Sequence, residues 1–376
     1  MTILPYQYIT ESKQRDMALK ELKTCPNIGV DIEGDSLFHY QDKVCLIQIS
    51  GNGRNFIFDP LLLDSVDALS SLFQDVNIIK IFHGAEYDLI SLKRDFKFKF
   101  VSIFDTVLAA RAIGIKSFSL QSLVSKYFDI QLEKSHQKAN WSKRPIQREL
   151  LEYAYKDTFF LSDLYEKLLI EVKNKGRLDQ IEEEFHLLEN KNWEEKKFSS
   201  DHFLKIKGAR KLSILSQKIL RELVMAREEM AQRLDRPPFK VIGNEELIQI
   251  SEKKPHSLEE LKVLFPKESA PVYRNPVYWL KVISQGERSR DPLPSNPKKN
   301  GILPTPEQEK RFVELRKWRD QQALEEGVEP SMVISTDTLR SISLKNINCS
   351  EQLEGTGLLR QWQIRRYSSN ILTYFS

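Results

Sequence analysis

The chain has 376 residues, 40% hydrophobic and 29% charged, with a net charge of +4. That length exceeds one compact core and calls for two or three domains, and the mild basicity is compatible with a nucleic-acid partner without arguing for one. Cys25, Cys45 and Cys349 form no CxxC pair, which argues against a disulfide framework or zinc ribbon and suits a reducing cytosol.

The start, MTILPYQYITESKQRD, lacks a basic segment followed by an apolar run, so no signal peptide is expected. No apolar stretch approaches the roughly 18 residues of a membrane span. The expectation is a soluble cytoplasmic protein with no membrane partner.

Asn27–Ile32, Val44–Ser50 and Asn55–Phe58 are short runs rich in Ile, Val and Phe, bounded by turn residues, and read as three strands of a meander. Ile78–Phe82 reads as a fourth strand ending at His83-Gly84. Helical spacing follows over Asp88–Phe96, Ser102–Ile113 and Ser119–Phe128, with Ser119 as a cap. From Ile146 to Val172 apolar residues recur at helical intervals, as one long helix or two with a bend. Strands first, with helices between and after, predict an α/β domain with a mixed sheet to about residue 190.

Asn190–Ser200 reads as a connector. Ser213–Leu234, Glu245–Ile250 and Leu258–Leu264 read as helices, Gly286–Pro306 as a linker, and Glu307–Phe375 as a last helical region. The segment beginning LSQKILRELVMAREEMAQRLDRPPF aligns with the one beginning TPEQEKRFVELRKWRDQQALEEGVEPSM. Each has a long helix, then Pro and a bulky residue, then Val-Ile and a short helix, as an internal duplication would.

Four acids carry the chemistry: Asp31 and Glu33 in NIGVDIEGD, Asp88 in FHGAEYD, and Asp157 in EYAYKD. Residues two apart on a strand share a face, so Asp31 and Glu33 can reach one ion. Asp88 follows strand four near the end of the sheet where ligands of α/β folds collect. Tyr153 stacks with Asp157 at i, i+4. Singly, each has a plain alternative: a strand leaving the core, a solvated helix face, or an acid favoured by a helix N-terminus. Together they resemble a carboxylate cage for two Mg²⁺ or Mn²⁺ ions, since hard cations take oxygen ligands and packed like charges need neutralising.

VDIEGDS, HGAEYDL and YAYKD resemble the three motifs of the DEDD 3′–5′ exonucleases, in the subgroup with Tyr before the last Asp. VCLIQIS, FDTVLAAR and KSHQKANWSKRPI resemble ribonuclease D and its exosome-associated relatives, over about residues 20–175. The resemblance implies a ribonuclease H-like α/β fold, a mixed sheet with flanking helices. It implies that Asp31, Glu33 and Asp157 hold the ion carrying the attacking water. Asp31 would bridge to the second ion, Asp88 would support it, and Tyr153 would orient the water. Tyr155 competes for that role but faces away from Asp157 on a helix. Lys134, Gln137, Trp141 and Arg144 lie in a loop that the resemblance places beside the RNA path, although Trp141 suits a core equally. Asp35, Asp59 and Asp105 read as structural, and His83 as a strand-end residue.

The C-terminal half resembles two HRDC domains, small helical bundles, the second more divergent. The implied layout is 1–190 exonuclease domain, 191–207 connector, 208–285 first HRDC domain, 286–305 linker, and 306–376 second HRDC-like domain. Two basic clusters can grip phosphates or form solvated faces: Lys310, Arg311, Arg316, Lys317 and Arg319, and Arg360, Arg365 and Arg366 around Trp362. The expected activity is 3′–5′ exoribonucleolytic release of 5′-mononucleotides from RNA with a free 3′ end, tRNA precursors foremost. The alternatives are a DNA exonuclease, because no motif reads the sugar, and an inactive nucleic-acid-binding protein. No GxxxxGK[ST] loop is present, so no NTP is expected.

Overall fold

The computed structural model describes residues 5–132, 136–195, 197–267, 271–294 and 304–375. The chain divides into two units. One comprises Met1–Gly34, Val44–Trp193 and Ile302–Ser376; the other comprises Asp35–Lys43 and Glu194–Gly301. The second helical module therefore groups with the sheet-bearing domain.

The sheet has six strands: β1 (Gln7–Ile9), β2 (Asn27–Gly34), β3 (Val44–Gly51), β4 (Arg54–Phe58), β5 (Ile79–Phe82) and β6 (Ile103–Asp105), in the order β1-β4-β3-β2-β5-β6. β2, β3 and β4 pair antiparallel, as the meander reading expected, while β5, β6 and β1 join in parallel, making the sheet mixed. Asn52 and Gly53, at φ 48° and 72°, form the two-residue turn between β3 and β4, where positive φ at both positions matches the twist of the strands. β3 is central and buried throughout.

The helices of this unit are α1 (Ser12–Leu22), α2 (Ser70–Phe73), α3 (Glu86–Phe96), α4 (Thr106–Ala112), α5 (Leu120–Phe128), α6 (Arg148–Ala154), α7 (Lys156–Phe159), α8 (Leu161–Asn174) and α9 (Leu178–Asn190). Ser119 caps α5 by accepting from the Ser122 amide at 3.2 Å, as its position suggested. The expected helix over Ser102–Ile113 is corrected: its first part is β6, which pairs with β5, and Asp105 then caps α4. The long periodic stretch from Ile146 is three helices, with breaks at Tyr155 and Phe160.

The other unit contains α10 (Ile214–Arg233), α11 (Pro238–Val241), α12 (Asn244–Lys253), α13 (Leu258–Leu264) and α14 (Pro276–Arg288). Trp279, Leu220, Leu223, Ile250 and Ile283 are buried in its core. The 35–43 segment is part of this unit. There Tyr40 accepts from Gln232 at 2.9 Å, and the Lys240 ammonium lies 4.0 Å from the Phe38 ring centroid.

The second module has α15 (Pro306–Glu326), α16 (Pro330–Val333), α17 (Thr336–Ser343), α18 (Ser350–Gly355) and α19 (Gln361–Leu372). The duplication extends to single hydrogen bonds. Arg227 on α10 donates to the Ile242 carbonyl at 3.3 Å and to Asn244 at 2.7 Å. Fifteen residues likewise separate Arg319 on α15 from Ile334, to whose carbonyl it donates at 3.2 Å, with a second bond to Thr336 at 3.0 Å. In both copies one arginine satisfies the carbonyl left open after a single-turn helix.

This module docks on α9 and α4. The Glu183 carboxylate accepts from the first amides of α19, Gln361 at 2.8 Å and Trp362 at 2.9 Å. An acid at a helix N-terminus is favoured there. Arg360 pairs with Glu184, Arg365 and Arg366 pair with Asp179, and Arg177 meets Glu326 at 2.6 Å in a largely buried pair. Of the two readings open for Arg360, Arg365 and Arg366, phosphate grip or solvated face, neither describes them fully, because these charges pair with acids across the docking seam. Arg319 is buried, and Arg311 donates to the Ser343, Lys345 and Tyr374 carbonyls, so both act inside the module.

Gly114 closes the same seam. Its φ is +83°, and a Cβ there would lie 2.0 Å from the Gly327 carbonyl oxygen. Gly114→Ala is expected to destabilise the docking by about 1–3 kcal/mol. Hydrogen exchange checks this: amides of α16 and α17 should exchange faster while those of β3 do not. Unchanged exchange over α16 would count against a tight seam.

Candidate active site

Asp31 and Glu33 project from one face of β2, as the two-residue period requires. Asp157, on the single-turn α7, lies over them. Carboxylate oxygens of Asp31, Glu33 and Asp157 all fall within 4.8 Å of one another. Each keeps partial access to solvent.

Two small residues let α7 come this close. Ser50, paired with Gly29 across β2 and β3, donates to the Thr158 carbonyl at 2.7 Å. A Cβ at Gly29 would sit 2.7 Å from the Ser50 hydroxyl, 2.8 Å from the Thr158 carbonyl and 2.9 Å from Leu161 Cβ. Gly29 is thus a functional position that the reading of the acids passed over. A glycine inside a strand pattern was its sequence signal, since it marks close backbone approach.

Asp88 lies in the first turn of α3 and is buried. It stands outside the trio but near it: the Asp31 charge helps raise its pKa, and its own charge helps raise that of Glu33. The turn carrying it is held by Asp105, whose carboxylate accepts from the amides of Gly84 at 3.1 Å, Ala85 at 2.8 Å, Val107 at 2.8 Å and Leu108 at 3.3 Å. Asp105 thus has the structural role expected of it. His83 donates through Nδ1 to Thr106 at 2.8 Å, because the Thr106 hydroxyl itself donates to the Phe82 carbonyl. Burial lowers the His83 pKa to about 4, so the ring is neutral at pH 7.

Desolvation raises all four acids. Asp31 moves up to about 7. Asp157 moves up to about 8, with the Asp31 charge adding to burial and a hydrogen bond from Tyr153 opposing it. Glu33 and Asp88 are raised well above the ordinary range, by burial first and by neighbouring carboxylates second. Among the described residues, no cationic side chain helps set these four values. An all-oxygen, uncompensated acidic set fits a hard divalent cation, which would remove the repulsion.

The two tyrosines separate clearly. The buried Tyr153 hydrogen-bonds Asp157, and the charges of Asp157, Glu33 and Asp31 help raise its pKa, so its phenol holds its proton. Tyr155 faces the other way, with its ring stacked on Tyr6 at 5.5 Å.

The loop before α6 differs in part from expectation. Lys134 lies outside the described residues, and Gln137 is exposed in a turn. Trp141 is buried, with its ring 6.2 Å from that of Tyr153, so it is core rather than substrate surface. Arg144 grips the buried Asp59 through Nε at 2.6 Å and Nη2 at 2.7 Å, and donates also to the Trp141, Lys143 and Cys45 carbonyls. Its guanidinium is spent on holding the loop to β3 and β4. His136 meets the Tyr153 ring edge-on at 5.8 Å.

The sheet and its carboxylate cluster belong to a domain of the 3′–5′ exonuclease class: residues 6–173 match the 3′–5′ exonuclease domain family, and residues 216–283 and 308–374 each match the HRDC domain. The chain is 28% identical to the ribonuclease D of Desulfotalea psychrophila over 84% of both chains. It is 30% identical to the exosome complex component 10 homolog of Drosophila melanogaster over 64% of this chain and 28% of that protein. It spans about a third of the length of the exosome relatives it matches. The crystal structure of Escherichia coli RNase D shares the fold, at a TM-score of 0.68 over 98% of both chains and 20% identity. The chain thus carries a 3′–5′ exonuclease domain, of a family that uses divalent metal, followed by two HRDC domains, and it is similar to a ribonuclease D. Among the described residues, no helix is long and apolar enough to cross a membrane.

Proposed function

We propose that this protein is a metal-dependent 3′–5′ exoribonuclease that releases 5′-mononucleotides one at a time. The observation that carries the reading is the Asp31, Glu33 and Asp157 cluster with Tyr153 bonded to it, in a chain similar to a ribonuclease D. Asp31, Glu33 and Asp157 would hold one Mg²⁺ or Mn²⁺, and Asp31 with Asp88 would hold a second. When bound, the ions supply an activated water and charge stabilisation at the leaving oxygen. Tyr153 is neutral at working pH, so its hydroxyl donates or accepts to orient the attacking water. Asp157, as its partner, fixes where that hydroxyl points.

The substrate in this reading is RNA with a free 3′ end, with tRNA precursors as the physiological class, in the cytoplasm. Cys25, Cys45 and Cys349 are in no disulfide, which suits that reducing setting. In this reading the exonuclease domain spans 1–190 and two HRDC domains, 208–285 and 306–376, assist RNA binding.

The test uses 5′-labelled RNA with a single-stranded 3′ extension, and matched DNA, incubated with Mg²⁺ or Mn²⁺. The expected result is an RNA ladder shortening from the 3′ end, absent with EDTA and with Asp31→Asn. Equal or faster digestion of DNA would move the assignment to a DNA exonuclease. Retarded but uncut RNA under every metal condition would leave only a binding function.

A further inference from the structure

Gln48 sits in the middle of β3 with no exposed surface. Among the described residues, neither its side-chain oxygen nor its nitrogen has a hydrogen-bond partner. A buried primary amide can make several hydrogen bonds, and leaving both ends unpaired is costly, so such groups are rare unless they serve a ligand or a reaction. An apolar side chain of similar volume would fill the same space without that cost, as Leu46 and Ile57 do beside it.

Its register explains where the amide is aimed. Gln48 is the direct cross-strand partner of Asp31, just as Leu46 is of Glu33 and Ser50 is of Gly29. Directly opposed residues on antiparallel strands share a face, with Cβ atoms about 4.5–5.5 Å apart. Gln48 therefore lies on the carboxylate face, one strand behind Asp31, under the α7 turn that Ser50 ties down. Asp31 is the carboxylate that the proposed function gives to both ions, and Gln48 is its direct neighbour on β3.

We infer that Gln48 is a positioning residue for the metal centre: its amide, unpaired in this structure, turns its N–H to the Asp31 carboxylate as that group ionises to take the metal. The inference rests on the metal-site reading above. An amide suits the place because it donates a hydrogen bond without bringing a charge. A lysine or arginine there would satisfy Asp31 by ion pairing and compete with the divalent cation. Partners behind a liganding carboxylate fix its rotamer, and losing one typically weakens metal binding by about 10–100-fold.

The test measures Mn²⁺ binding to the full-length protein without RNA, from the free Mn²⁺ signal in electron paramagnetic resonance. Gln48→Met removes the amide at similar volume. Gln48→Glu keeps the shape but replaces the donor with an acceptor. Asp31→Asn serves as the site control, and melting of each metal-free protein reports the fold. The expected result is Mn²⁺ affinity lowered at least about 10-fold in both Gln48 variants. The metal-free melting temperature of Gln48→Met should be unchanged or raised, and hydrolysis should recover as Mn²⁺ is increased. Affinity within twofold of wild type in a folded Gln48→Met protein overturns the inference, and so does loss of fold in both variants, which would make Gln48 a packing residue. If Asp31→Asn also leaves Mn²⁺ binding intact, the metal site itself is misassigned, a different failure from that of Gln48 alone.

Discussion

Asp157→Asn is expected to lower hydrolysis by about 10³-fold or more while the protein stays folded. Losing a liganding carboxylate forfeits several kcal/mol of charge stabilisation, and each 1.4 kcal/mol is tenfold in rate. Asparagine keeps the shape of the side chain, so α7 keeps its packing. The variant also carries a pH signature. In the metal-free protein the Asp157 pKa is raised from 3.8 to about 8. A raised folded-state value means that the stabilising contribution is fully present below the unfolded value and is lost as pH rises through the folded one. Wild type should therefore lose melting temperature relative to Asp157→Asn between about pH 4 and pH 8. Divalent metal should reverse the trend, raising the wild-type melting temperature more at pH 8 than at pH 5, since liganding carboxylates must be ionised. Melting curves of both proteins across this range, with and without Mn²⁺, check the prediction. A pH-independent difference, or near-normal hydrolysis, would remove Asp157 from the site.

Gly29→Ala tests the architecture rather than the chemistry. The added Cβ meets the Thr158 carbonyl at 2.8 Å and Leu161 Cβ at 2.9 Å. Neither is the free end of a flexible side chain, so α7 has to move. Overpacking of this kind costs about 1–3 kcal/mol, and a shift of 1 Å at a reacting group can cost about 10²-fold in rate. The variant should fold, melt at lower temperature, and hydrolyse RNA about 10²-fold more slowly. Gly29→Ala with wild-type turnover would show that the spacing between β2 and α7 does not set the position of Asp157.

Much of this was legible in the chain. The meander strands β2, β3 and β4 and the helices α3, α5 and α10 carry strong apolar periods of their own. The four acids sit in motifs whose order survives folding, and Asp31 and Glu33 share a face from strand geometry alone. The duplication was legible too, because Pro-bulky-Val-Ile recurs after each long helix. The strands β1 and β6 were not: each has three residues and exists only because β4 or β5 offers an edge to pair with. Trp141 and Arg144 look like RNA-facing residues in a charged loop. Only the fold shows that one fills a core and the other answers Asp59.

The sequence by itself determined the exonuclease-type domain, its set of four motif acids and the repeated helical module, because these reside in local periods and fixed spacings. The tertiary structure decided which charges remain for a substrate, since Arg144, Arg360, Arg365 and Arg366 are neutralised by acids from about 85 to nearly 190 residues away in the chain. It also decided how near Asp157 comes to Asp31, which depends on a missing Cβ at Gly29 and on the Ser50 bond to Thr158. Partners that distant meet only when the chain folds, so no local pattern records them.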